Sequence, residues 1–180
     1  MSKCNVFKSN DFDSGEGMLT SVWGPSLWHS IHTMSFNYPV NPSNEEKKNY
    51  YNFVISLKHV LPCRYCRENF VNNLKQIKFS IKDMKNRETF SKAMFNLHET
   101  VNCMLNKKSG LTYEDVRQRY EIFRSRCLLK PRKTKKKSKK EKGCTNPLYG
   151  VKSKCVLNIV PKNKKCKSFN IDQTCIPKSN

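Results

Sequence analysis

Cys63 and Cys66, in the run Pro62-Cys63-Arg64-Tyr65-Cys66-Arg67, have the residue type and spacing that can do chemistry. Two cysteines separated by two residues form a redox pair, half of a zinc site, or a coincidence. Their flanks narrow the choice. About one helix earlier the chain reads Trp23-Gly24-Pro25-Ser26-Leu27-Trp28-His29-Ser30-Ile31-His32, and after the pair it reads Leu97-His98-Glu99-Thr100-Val101-Asn102. Trp28 and His32 are spaced i, i+4, as are His98 and Asn102, so the members of each pair lie one above the other on a helix face. A flat cofactor needs such stacking partners and a few directed hydrogen bonds. Aromatic and imidazole groups on both sides of a dithiol therefore point to flavin-linked disulfide chemistry. Taken singly, each pair is more often a packed core pair than a ligand platform. A zinc half-site would need a second ligand pair at comparable spacing, and the sequence has no second Cys-x-x-Cys or His-x-His cluster.

The elements that must hold these residues read as helices. Pro25 suits a first helical position; Leu27, Ile31 and Met34 continue a core stripe, and Asn37-Tyr38-Pro39 ends it. Ser43-Asn44-Glu45-Glu46 is a capping-box pattern, with Tyr50, Val54, Leu57 and Leu61 at helical spacing behind it. The cysteine motif opens the next helix. There Cys66, Phe70, Leu74 and Ile77 share one face, which turns Cys66 inward and leaves Cys63 in the exposed first turn. A thiolate at that end is favoured by the helix dipole and by Arg64 and Arg67. A fourth helix is expected from about Thr89 to Leu105, and Thr112 is expected to cap a short fifth with Tyr113, Val116, Tyr120, Phe123 and Cys127 in period. Residues 1 to 20 read as a loose lead-in. No strand pattern competes, so the expected fold is all-α: four helices in a bundle, a fifth short helix, and a basic, cysteine-containing, largely irregular C-terminal tail.

Composition divides the chain. Of a net charge of +21 over 180 residues, +14 falls in residues 130–180, which hold 16 Lys+Arg against 2 Asp+Glu. The expected organisation is a lead-in 1–19, a helical domain 20–128, a Lys-rich linker 129–143 and an extension 144–180. The run from Lys130 to Lys142 should be unfolded by self-repulsion. No stretch approaches the roughly 18 to 20 apolar residues of a membrane span, and the N-terminus lacks the pattern of a secretory signal, so a soluble cytoplasmic protein is expected. Nine cysteines in a reducing compartment point to metal binding or catalysis rather than static crosslinks. The lysine run lacks a base-reading motif, so nucleic acid is not an expected partner. The absence of a βαβ pattern argues against a flavin-free, thioredoxin-like enzyme.

On the motifs Trp23-Gly24-Pro25 to Thr33, Phe53 to Arg67 around the cysteine pair, and His98 to Lys107, the chain resembles the Erv/ALR family of FAD-dependent sulfhydryl oxidases over about residues 21 to 127. Within it, the chain resembles the short forms of large cytoplasmic DNA viruses. The resemblance implies a bundle holding FAD at its mouth, commonly a homodimer, with client dithiols, directly or through a thioredoxin-like carrier, as reductant and O2 as acceptor. It implies that Gly24, Trp28 and His32 from the first helix, and His98, Asn102 and Lys107 from the fourth, meet FAD. Cys66 would sit against the flavin, Cys63 would be the interchange thiol, and no metal would be needed. Glu99 stands where the family usually has Asn, and Phe95 and Thr112 stand where it often has a cysteine pair stapling the last two helices.

Cys144, Cys155, Cys166 and Cys175 are candidates for a shuttle disulfide such as Cys144-Cys155 or Cys166-Cys175, or for static loops; spacing does not choose between them. Nor does it assign roles to Cys4, Cys103 and Cys127. The competing reading is a non-enzymatic, cysteine-rich scaffold binding zinc or nucleic acid through its basic tail.

Overall fold

The computed structural model describes residues 8–126, 143–156, 158–161, 163–164 and 171–172. Among the described residues six α-helices occur: α1 (Ser9–Phe12), α2 (Thr20–Asn37), α3 (Asn44–Val60), α4 (Arg64–Gln76), α5 (Arg87–Met104) and α6 (Tyr113–Glu121), with a 3₁₀ turn at Ile81–Lys85. Helices α2 to α5 form the four-helix unit: α2 packs on α5, α3 on α4, and α4 on α5, while α6 lies against α2. Among the described residues no strand forms; one antiparallel bridge joins Ser125 to Pro147. The core is a single cluster including Ile31, Val54, Leu57, Phe70, Leu74, Met84, Phe90, Met94 and Leu97.

Local chemistry sets the helix ends. Ser43 Oγ accepts from the Glu46 N–H at 3.1 Å and the Glu46 carboxylate accepts from the Ser43 N–H at 2.7 Å, the reciprocal pair its sequence promised. Thr112 and Asp115 do the same for α6. Helix α5 starts earlier than the Thr89 expected. Asn86 is the cap, its side chain accepting from the Thr89 N–H at 2.9 Å, and Thr89 is the third residue of that box. Helix α2 also starts early, at Thr20, with Pro25 inside it. A proline there leaves the Ser21 carbonyl without its helical donor, and Ser21 is exposed to water.

Two helices end in left-handed residues that are not glycine. Lys78 and Asn106 both have φ 54°. Behind Lys78, the Phe79 N–H reaches the Leu74 carbonyl at 2.9 Å; behind Asn106, the Lys107 N–H reaches the Asn102 carbonyl at 2.8 Å. Both are Schellman closures, which satisfy carbonyls the helix leaves open. Where the family often staples its last two helices, Phe95 meets the Tyr113 ring edge-on, centroids 6.0 Å apart. The Ser91 hydroxyl, fully buried, lies 2.8 Å from the Tyr113 hydroxyl.

The lead-in and the tail both touch the bundle. The Met18 N–H donates to the Pro62 carbonyl at 2.8 Å, so the stretch expected to be loose is docked at that point. The Arg126 N–H donates to the Asn146 carbonyl at 2.8 Å and the Leu148 N–H to the Arg124 carbonyl at 2.7 Å, returning residues 146–148 to the end of α6. No helix among the described residues is long and apolar enough to cross a membrane.

Candidate functional site

Cys63 is the N-cap of α4, in extended backbone conformation with φ −156° and ψ 122°. Its sulfur accepts from the Cys66 N–H at 3.3 Å, taking the place a serine or aspartate oxygen usually fills. Both cysteines are free thiols and half-buried; Cys66 packs against the core and its neighbour Tyr65 is exposed. Three hydrogen bonds fix the turn ahead of them. The Cys63 N–H donates to the Leu61 carbonyl at 2.8 Å, Arg67 Nη1 donates to the same carbonyl at 2.6 Å, and Met18 holds the Pro62 carbonyl.

The two thiols differ in acidity. A hydrogen bond from the Cys66 thiol holds Cys63 below the ordinary thiol range, against some burial, helped by the Cys66 and Tyr65 N–H groups and the Arg67 charge. Burial pushes Cys66 up, reinforced by its hydrogen bond to Cys63 and by the charge on that sulfur. When the pair shares one proton, it resides on Cys66 and the nucleophile is Cys63.

The second half of the site lies where α2 faces α5. The Trp28 ring stacks on His98, centroids 4.1 Å apart and planes within 6°. His32 Nε2 lies 2.9 Å from His98 Nδ1, one of the two nitrogens carrying the shared proton. Burial lowers His32 to about 3, helped by the charges of His98 and His29, and lowers His98 to about 4, with Glu99 opposing and Lys107 assisting. Both rings are therefore neutral at pH 7. Gly24, one turn ahead of Trp28, has open space where a side chain would stand. Asn102 is near but engaged: its amide donates to the Glu99 carboxylate at 2.9 Å.

Trp28, His32 and His98 thus come together, with Asn102 in the last turn of α5 and Lys107 just beyond its end, while Trp28 and Cys66 pack against one core. Among the candidate shuttle residues, Cys144 is disulfide-bonded and Cys155 is free and exposed, so the considered Cys144-Cys155 pairing is not formed. Cys166 and Cys175 lie outside the described residues, as do Cys4 and Cys127. Cys103 is free and exposed. Among the described residues no group of three His, Cys, Asp or Glu is placed to hold a metal.

Three features escaped the sequence reading. Tyr120, which the sequence places only among the periodic residues of the last helix, brings its hydroxyl within 3.2 Å of His29 Nδ1 and its ring to 5.4 Å from His32. Ser26 Oγ is buried without a hydrogen-bond partner among the described residues. Gly17 and Met18 pack on the cysteine turn; the glycines and the Trp23 indole N–H were the available signals. Two surface hollows of about 320 and 700 Å³ lie elsewhere, beside Phe79 and beside Arg87, and neither reaches the cysteines or the Trp28 stack.

The family model of the Erv1/Alr family matches residues 25–121. The chain is 34% identical over 99 residues to a probable FAD-linked sulfhydryl oxidase, R368, of Acanthamoeba polyphaga mimivirus, covering 55% of this chain and 68% of that protein. It is 29% identical over 84 residues to the mitochondrial FAD-linked sulfhydryl oxidase ERV1 of Saccharomyces cerevisiae, covering 47% of this chain and 43% of the yeast protein, so it spans less than half of that relative. Its fold matches the crystal structure of the yeast Erv1 core with a TM-score of 0.52 at 20% identity, over 67% of this chain and 94% of that one. The all-helical bundle with a free cysteine pair at a helix start, together with relatives named FAD-linked sulfhydryl oxidases, places the chain among FAD-linked thiol oxidases. The chain belongs to the Erv1/Alr family, whose chemistry is FAD-linked thiol oxidation.

Proposed function

We propose that this chain makes disulfides in client proteins, taking electrons from client dithiols through Cys63 and Cys66 to FAD and on to O2. The observation that carries the reading is the split acidity of a Cys-x-x-Cys pair at a helix N-terminus. The residues around Trp28 fit the cofactor: His32 is 4% exposed, and its Nδ1 has no hydrogen-bond partner among the described residues. A buried ring nitrogen in that condition is what a ligand group would complete. Gly24, Trp28, His32 and His98, with Asn102 and Lys107, would hold FAD, and Cys66 would face it.

FAD, when bound, accepts the electron pair of the dithiol and passes it to O2, giving H2O2. The rest belongs to the chain. A client thiolate attacks the Cys63 sulfur of the oxidised pair, forming a mixed disulfide and releasing Cys66 as thiolate. The second client thiolate attacks the client sulfur of that bond, which frees Cys63 and leaves the client with a disulfide. Two thiol protons are released and one electron pair stays on the cysteines. The Cys66 N–H and Arg67 stabilise Cys63 as a leaving group, and partial burial favours the protonated form of Cys66.

The chain works as a homodimer in the cytoplasm, viral if its mimivirus relative indicates its source, on cysteine-containing clients or a thioredoxin-like carrier. The test is direct: the purified protein should be yellow and consume O2 with dithiothreitol, producing one H2O2 per disulfide. A colourless protein that carries zinc and leaves dithiothreitol unoxidised sinks the reading.

A further inference from the structure

We propose that Gly17 and Met18 form a backbone strap that positions Cys63, and that residue 17 is a glycine because no side chain fits between the strap and the Pro62–Cys63 peptide. A Cβ built on Gly17 would lie 2.8 Å from the Pro62 carbonyl oxygen and 3.2 Å from the Cys63 Cα. Both of those neighbours are backbone, which cannot swing aside as a flexible side chain would. The Gly17 backbone has ordinary φ, so the requirement is for space and not for conformation.

The strap is tied at both ends of Met18. Its N–H donates to the Pro62 carbonyl at 2.8 Å, and its carbonyl accepts from the Trp23 indole N–H at 3.0 Å. Trp23 stands in α2, so the strap links the helix carrying Trp28 and His32 to the cysteine turn. Main-chain bonds rather than side-chain burial hold the segment: Met18 and Leu19 are 71% and 74% exposed, and the Leu19 carbonyl caps α2 by accepting from the Val22 N–H at 3.0 Å.

The consequence for Cys63 follows from peptide geometry. Pro62 C=O and Cys63 N–H belong to one planar unit. The strap holds the oxygen of that plane and the Leu61 carbonyl holds its N–H at 2.8 Å. The Arg67 N–H donates to the Cys63 carbonyl at 3.1 Å and holds the next peptide plane, so the two planes together set φ and ψ at Cys63 and with them the direction in which its Cβ leaves the chain. The 3.3 Å contact between Sγ and the Cys66 N–H depends on that direction. Gly17, Met18 and Trp23 are positioning residues in this sense; none touches the reacting sulfur through a side chain. The inference rests on the reading of Cys63 as the interchange thiol.

The test uses the full-length FAD-loaded protein with Gly17→Ala, and Gly15→Ala as control, since a Cβ at Gly15 meets nothing within 4 Å. The readout is the pH dependence of alkylation of reduced Cys63 by iodoacetamide, followed by peptide mass spectrometry, beside flavin content and dithiothreitol oxidation. Gly17→Ala should keep its flavin and move the Cys63 midpoint upward by about half a pH unit, which means about threefold less thiolate below the midpoint. Oxidation should slow at pH 7 and recover at pH 9, and Gly15→Ala should behave as the parent. Should Gly17→Ala fail to fold, Trp23→Phe keeps an aromatic though smaller side chain, removes the indole donor and should shift the midpoint the same way. An unmoved alkylation profile in the folded variants overturns the proposal, including when melting temperature falls. The readout needs no turnover, so an inactive parent would sink the oxidase reading alone.

Discussion

Cys63 and Cys66 are chemically the same side chain, and only their places on α4 separate them. Cys66→Ser and Cys63→Ser should both abolish dithiothreitol oxidation, but with different traps. With Cys66→Ser the surviving Cys63 thiolate should attack a client supplied in its disulfide form, releasing one client thiolate and holding the other sulfur as a mixed disulfide visible on non-reducing gels; with Cys63→Ser, Cys66 should not. Trapping through Cys66 would swap the assignments. The histidine pair makes a second prediction. His32 titrates at about 3 in the fold against 6.5 in an unfolded chain. A base depressed in the native state favours folding above its unfolded value and loses that contribution as pH falls. Stability should therefore decline from about pH 6.5 towards pH 3, by roughly 2 kcal/mol at pH 5 for His32 alone. Denaturant midpoints measured from pH 7.5 to 4.5 check this, and His32→Gln should flatten the profile. The cysteine spacing was readable in the sequence because chemistry and helix geometry both demand it. The His32 to His98 bond was not, since it joins residues 66 positions apart and only packing of α2 on α5 creates it.

Helices were legible to the extent that their capping residues act locally. Ser43 and Thr112 cap where their patterns promised, because a capping box closes within four residues. Asn86 was overlooked because Thr89, its partner in the box, looks equally like a cap. The early start of α2 depends on Met18 being held by Trp23 and Pro62, contacts that no local pattern announces. The two Schellman closures supply a stability prediction. Lys78 in the left-handed region carries a steric cost that glycine avoids, so Lys78→Gly should stabilise the protein by about 0.5 to 1 kcal/mol after its larger unfolded-state entropy is counted. Asn106→Gly should gain less, because asparagine tolerates that conformation. Thermal melts of both variants decide it; a lower melting temperature for Lys78→Gly would be the contrary result.

At the scale of the whole molecule, the tail is not simply appended to a bundle. Residues 146–148 return to 124–126, and Arg124 also donates from Nη2 to the Phe36 carbonyl at 2.8 Å, tying the end of α6 to α2. Deleting residues 130–180 removes the partners of that return and all four candidate shuttle cysteines. If the tail delivers electrons from clients, the deletion should leave dithiothreitol oxidation largely intact and slow oxidation of a reduced, folded protein by an order of magnitude or more, because a tethered dithiol acts at an effective concentration of about a millimolar. Equal rates on both substrates would assign the tail cysteines to structure. Composition announced a basic tail correctly but could not announce the return at Pro147, which is a pairing of main-chain groups and leaves no mark in residue type.

The docking of Met18 by Trp23 has an optical side. The chain contains two tryptophans, and both lie in α2 within five residues of each other. One indole donates to the strap, and the other stacks on His98. Intrinsic fluorescence is therefore a two-channel reporter with no added label. Trp23→Phe should leave emission from the histidine face alone, quenched as His98 gains a proton, and Trp28→Phe should leave emission that follows whether the strap is closed over the cysteine turn.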